Sequence, residues 1–101
     1  MHVISLRRLR EFWEAHAEAE TPLRDWHRIM EAKSYQTPHE IRQDFPSASF
    51  LGDELTVFNI KPHGFRLVTY VRYRKSRIYI SEVLTHEEYD RLSKAGLLGS
   101  K

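Results

Sequence analysis

The sequence predicts an α+β domain built on a four-stranded, mainly antiparallel twisted sheet, with helices on one face and the other face left concave and basic. Three observations carry this. Phe65 to Leu84 alternates apolar and polar residues on either side of the polar pair Lys75-Ser76, the pattern of two strands in a hairpin. Upstream, apolar side chains recur at helical spacing, twice behind a Thr-Pro start signal. Finally, Leu55 to Ser81 holds six cations (Lys61, Arg66, Arg72, Arg74, Lys75 and Arg77) and none of the 14 acids.

Taken in order, His2 to Ser5 reads as a short strand, and Ser5 as the cap of a helix beginning at Leu6. Leu6, Leu9, Phe12, Trp13 and His16 form one apolar stripe, with Arg7, Arg8 and Arg10 off it. Thr21 should cap a second helix with Pro22 at its first position, where the missing N–H does no harm. Leu23, Trp26, Ile29 and Met30 are its buried positions, up to about Ala32. Thr37-Pro38 repeats the signal for a short third helix, which Pro46 ends. Ser47 to Glu54 has the composition of a loop, and Leu55 to Ile60 that of a strand.

The turn Lys61-Pro62-His63-Gly64 sets Ile60 against Phe65, which brings Phe58 beside Leu67 on the core face and Asn59 beside Arg66 on the basic face. A two-residue loop at Lys75-Ser76 pairs Arg74 with Arg77, Tyr73 with Ile78, Arg72 with Tyr79, Val71 with Ile80 and Tyr70 with Ser81. Phe65, Leu67, Val71, Tyr73, Ile78, Ile80 and Leu84 then face the core, packed against Phe12, Trp13, Trp26 and Ile29. Arg66, Tyr70, Arg72, Arg74, Arg77, Tyr79 and Ser81 face outward. Thr85-His86-Glu87-Glu88 fits a capping box opening a last helix, with Tyr89 and Leu92 inward. Residues 1–93 read as one domain and 94–101 as a flexible tail.

Arginines and tyrosines interleaved on one sheet face offer charge for phosphates and π-faces for unpaired bases, the combination used to hold single-stranded RNA. With Asn59, the candidates for RNA contact are Tyr70, Arg72, Arg74, Arg77 and Tyr79. The absence of cysteine excludes disulfides and thiolate metal sites, and no stretch approaches a membrane span, so a cytoplasmic protein without cofactor is expected. Glycine-rich phosphate loops, nucleophile elbows and zinc spacings are missing; only His86 and Asp90 have the i, i+4 spacing of a helical metal pair. An enzyme of this composition would work without metal. RNA cleavage in that mode needs a base for the 2′-hydroxyl, cations for the phosphorane and an acid for the leaving oxygen, roles open to Arg, Lys, His and Tyr.

The runs Val57-Phe58-Asn59-Ile60, Phe65-Arg66-Leu67-Val68, Ile78-Tyr79-Ile80 and Thr85-His86-Glu87-Glu88-Tyr89-Asp90 resemble the HigB toxins of bacterial type II toxin-antitoxin systems, within the RelE-like group. Asp44-Phe45-Pro46-Ser47-Ala48 and the opening Met1-His2-Val3-Ile4 extend the resemblance, which runs from Met1 to about Leu92. It implies a RelE-like fold and an mRNA interferase that cuts messages in the ribosome without a metal, restrained by a HigA-like helix-turn-helix antitoxin. It further implies Arg66, His86, Tyr89 and Lys75 as the catalytic group. Members often carry Gly-Asn in place of Pro62-His63 and Arg in place of Ser81. A non-catalytic RNA-binding module, or a domain whose basic face receives an acidic protein, are the alternative readings.

Overall fold

The computed structural model describes residues 1–52 and 54–94, so most of the expected tail lies outside the described residues. Five strands, β1 (His2–Ile4), β2 (Ser49–Phe50), β3 (Leu55–Ile60), β4 (Phe65–Arg72) and β5 (Arg77–Leu84), form one mixed sheet in the order β1-β5-β4-β3-β2. The described residues form four α-helices, α1 (Leu6–Ala15), α2 (Glu20–Ala32), α3 (Pro38–Asp44) and α4 (His86–Lys94).

The α+β class is as expected, and the strand count is corrected from four to five. β1 lies at the sheet edge parallel to β5, and the other pairings are antiparallel. The additional strand, β2, sits in the stretch expected to be loop. Only two residues long, it is held by pairing of Ser49 with Val57 and Phe50 with Thr56, before Gly52 turns the chain at φ +114°. Loop-like composition hides such a strand, because its partner supplies the order.

Two helix starts behave differently. Thr37 accepts a hydrogen bond from the Glu40 N–H at 3.3 Å with Pro38 in first position, as expected. Thr21 does not cap α2: a 3-10 turn over Ala17–Ala19 leads directly into a helix that opens at Glu20. Pro22 therefore occupies the third position, still within the first turn whose N–H groups have no partner inside the helix. Ser5 precedes α1 without a side-chain capping bond.

α1, α2 and α3 cover one face of the sheet. Leu9, Leu23, Trp26, Met30 and Ile41 pack there on Phe58, Leu67, Val71, Ile78 and Ile80, all buried. Each such apolar side chain contributes ~1.5 to 3 kcal/mol. Trp26 and Phe45 meet Phe58 edge-on at 5.4 and 5.2 Å between ring centroids. Phe12, Trp13 and Ile29, expected inside, are only half-buried. Trp13 lies at the α1–α2 rim beneath the Arg24 guanidinium, 4.7 Å from its ring, and Phe12 packs on Phe65 at 5.1 Å.

The β4–β5 hairpin is shifted two residues from the expected register: Arg72 pairs with Arg77, Val71 with Ile78 and Tyr70 with Tyr79. The loop is therefore Tyr73 to Ser76, a 3-10 turn closed by Ser76 at φ +52°. A tight two-residue loop of type I′ needs positive φ twice, which Lys75-Ser76 does not favour, whereas the longer loop needs it once. A shift of two keeps every side chain on its face.

A bulge between Thr69–Ile80 and Val68–Glu82 does reverse faces: Ser81 is the extra residue, and beyond it Leu84 pairs with Arg66. Leu84 thus leaves the main core and joins Leu55, Val57 and Val68 on the opposite side, where Tyr70, Tyr89 and Leu92 pack against them. The expectation of helices on one face is corrected accordingly. α4 lies on the middle of the second face and divides it in two.

Candidate functional site: an arginine, histidine and tyrosine beside a cationic tyrosine cleft

The first half of the divided face is built by the β3–β4 turn and the start of α4. Thr85 and Glu88 form the expected reciprocal cap: the Glu88 N–H donates to the Thr85 hydroxyl at 3.2 Å, and the Thr85 N–H to the Glu88 carboxylate at 2.9 Å. This fixes His86 at the first helical position and turns Tyr89 back over the sheet. From β4, the Arg66 guanidinium reaches both. Its Nη1 donates to the Asn59 side-chain oxygen and to the Gly64 carbonyl at 3.1 Å, its Nη2 lies 3.2 Å from His86 Nδ1, and its Cζ stands 5.4 Å from the Tyr89 ring centroid.

Gly64 suits this turn through its backbone, since a Cβ there would make only ordinary contacts. It sits at φ +74°, and a Cβ there would lie 3.8 Å from the His86 ring and 3.9 Å from Arg66 Nη1. Any other residue would meet backbone strain in the turn whose carbonyl holds Arg66.

The partners of His86 assign its tautomer. Arginine can only donate, so Nδ1 is the acceptor; in the neutral imidazole the proton then sits on Nε2, which points to Asp90 Oδ2 at 3.1 Å. Asp90 thereby orients a ring whose lone pair is aimed at a fixed cation. A phosphate drawn to Arg66 would bring its neighbouring hydroxyl under Nδ1, the arrangement of a general base beside an electrostatic clamp. Among the described residues, no three His, Cys, Asp or Glu side chains gather to hold a metal ion, and no helix is long and apolar enough to cross a membrane.

The second half is a cleft of about 650 Å³ lined by Glu54, Tyr70, Arg72, Arg74, Lys75 and Tyr79. Tyr70 and Tyr79 are cross-strand partners, and the Arg72 guanidinium lies 5.9 Å from the Tyr79 ring centroid. Arg77, opposite Arg72 and exposed, is outside the lining. Arg66 and Arg72 are six positions apart along β4, which at ~3.3 Å per residue is about 20 Å.

Three of the four expected catalytic residues, Arg66, His86 and Tyr89, are therefore one cluster, with Asn59 attached to it. Lys75 stands at the far end of the sheet with the RNA-contact candidates. Two residues escaped the sequence reading in these roles. Asp90 was visible as the i, i+4 partner of His86, though as a metal pair. Glu54 lies one residue outside the acid-free window, yet it forms an ion pair with Arg72 at 2.7 Å. Extending the Ile60–Phe65 pairing up the hairpin places Leu55 opposite Tyr70, the register that brings Glu54 to the cleft.

Comparison with known proteins identifies the family. The chain is similar to the mRNA interferase toxin HigB of Escherichia coli K12, 29% identical over 92 residues that cover 89% of this chain and 88% of that protein. The mRNA interferase HigB of Shigella flexneri matches with the same figures. The mRNA interferase HigB of Escherichia coli O6:H1 is 23% identical over 96 residues, 93% of each chain. The profile of HigB_toxin, a RelE-like toxic component of a toxin-antitoxin system, matches residues 19–92. The chain belongs to the HigB toxin family.

Proposed function

We infer that this protein is a type II toxin that cleaves mRNA on the ribosome, using its own side chains for the proton transfers and restrained by a HigA-like helix-turn-helix antitoxin. The observation that carries the chemistry is the chain Arg66 Nη2, His86 Nδ1, His86 Nε2, Asp90 Oδ2, with separations of 3.2 and 3.1 Å. The family and the names of its relatives supply the substrate class. The RelE-like fold is consistent with the mixed sheet.

Arg66 binds the scissile phosphate and stabilises the charge that grows on it. As the phosphate takes over the Arg66 Nη2 donor, the Nδ1 lone pair is released and His86 takes the 2′-hydroxyl proton there. That oxygen attacks phosphorus while the bond to the 5′-oxygen breaks, leaving a 2′,3′-cyclic phosphate and, once Tyr89 or water protonates the leaving oxygen, a 5′-hydroxyl. Asp90 holds the imidazole in the acceptor tautomer and stabilises the imidazolium that forms. Tyr89, stacked by Arg66, is placed to position the substrate or to protonate the leaving oxygen. Lys75, with Arg72, Arg74 and Tyr79, holds RNA away from the scission point. An open site made of partly exposed side chains orients a flexible strand poorly, and the ribosome supplies that order to a message.

The test is induced expression, with translation and message integrity followed together. Growth arrest with cuts inside translated reading frames is expected. Intact messages at high soluble expression would leave a binding module.

A further inference from the structure

The cleft at the far end holds a carboxylate that phosphate binding does not call for. Arg72, Arg74 and Lys75 attract the RNA backbone, whereas Glu54, on their wall, repels it. Glu54 is nevertheless firmly set: its backbone carbonyl accepts from the Val71 N–H at 2.9 Å, and its carboxylate pairs with Arg72 at 2.7 Å. The ion pair occupies one of about four lone-pair sites on the carboxylate.

We propose that the Glu54–Tyr70–Tyr79 cleft is a nucleobase pocket that selects an unpaired guanine several nucleotides from the scissile bond. The inference rests on the RNA-binding reading of this face and adds a specificity determinant to it. Tyr70 and Tyr79, side by side across β4 and β5, provide the stacking surface. A carboxylate accepts only, so it selects for donors. Of the four bases, guanine alone presents two adjacent N–H donors, N1–H and the 2-amino group, on its Watson–Crick edge, matching the two oxygens of one carboxylate. Uracil offers a single N–H there, and adenine and cytosine each place an acceptor beside their amino group. Arg72, held by Glu54 and lying over Tyr79, closes the side of the pocket and meets the flanking phosphate.

The experiment measures binding of full-length protein to uncleavable 2′-O-methyl trinucleotides UGU, UIU, UAU and UUU, where I is inosine, which keeps N1–H and lacks the 2-amino group. UGU should bind about tenfold more tightly than UAU and UUU, with UIU between, the discrimination expected of a bidentate contact. Glu54→Gln, which replaces one acceptor by a donor, and Glu54→Ala should both abolish the order. Equal affinities in the parent protein, or no detectable binding of any trinucleotide, would overturn the proposal. Retention of the order in Glu54→Ala would do the same. Should the parent cut messages while binding all four alike, the toxin reading stands and the guanine pocket falls; guanine-selective binding without message cleavage would have the reverse meaning.

Discussion

Arg66→Lys keeps the positive charge on the open face and removes the fork that distributes it. In the parent, one guanidinium serves the Asn59 oxygen, the Gly64 carbonyl and His86 Nδ1 at once, with Tyr89 on its flat side. A lysine ammonium is a point donor on a flexible stem and cannot span acceptors on opposite sides of a planar group. The lost hydrogen bonds lie at a partly exposed site, so water replaces most of them and the stability loss should be ~1 kcal/mol. Cleavage should suffer far more. Removing one positioned donor from a developing oxyanion costs roughly a hundredfold to a thousandfold, about 2.7 to 4 kcal/mol, and the lysine also leaves the His86 lone pair unaimed. Single-turnover cleavage on mRNA-programmed ribosomes, with thermal unfolding run in parallel, separates the two effects. Parental cleavage by Arg66→Lys would show that charge alone suffices and refute the fork. Unfolding by several kcal/mol would show instead that Arg66 holds the β3–β4 turn together.

The other predictions follow from neighbouring contacts. Thr85→Ala should lower stability by ~1 kcal/mol through loss of the α4 cap and leave cleavage largely intact in the folded fraction, read by denaturant titration and ribosome assay. His86→Ala should do the opposite, abolishing most cleavage with little change in melting temperature; parental activity would make His86 a bystander. Asp90→Asn should reduce cleavage and respond to pH differently from the parent, since an amide orients the ring without stabilising the imidazolium; an unchanged pH profile would remove Asp90 from the mechanism. Asp44, whose carboxylate accepts from Lys33 and from the buried Tyr35 hydroxyl, is held below its ordinary value of 3.8. Its native form therefore binds fewer protons than the unfolded chain, and the stability it confers above pH 3.8 is lost as the pH falls through that value toward the lowered native one. Asp44→Asn should flatten the acid limb of the stability curve.

Where the order of the chain is written in local patterns, the sequence was sufficient. Alternation located β3, β4 and β5; Thr37-Pro38 and Thr85-to-Glu88 located α3 and α4 with their caps; and the β3–β4 register followed from its four-residue turn. That register and that cap together bring Arg66, Asn59, His86 and Tyr89 into one site. The errors arose where a partner elsewhere decides. β2 exists because β3 offers it a ladder, and α2 begins one residue before Thr21 because the preceding 3-10 turn already supplies its first bend. The hairpin loop is longer than the minimum because of Ser76, and the bulge at Ser81 turns Leu84 outward, a single extra residue that no periodicity reveals in advance. With Leu84 outward, α4 gains an apolar seat and the open face becomes two sites instead of one.

The measurement closest to the central claim is primer extension across a translated reading frame after a brief induction, comparing the parent protein with His86→Ala at equal soluble levels. The account predicts discrete new 5′ ends within codons for the parent, borne by 5′-hydroxyl termini, and their absence in the variant. Identical patterns in both, or no new ends while translation stops, would contradict it.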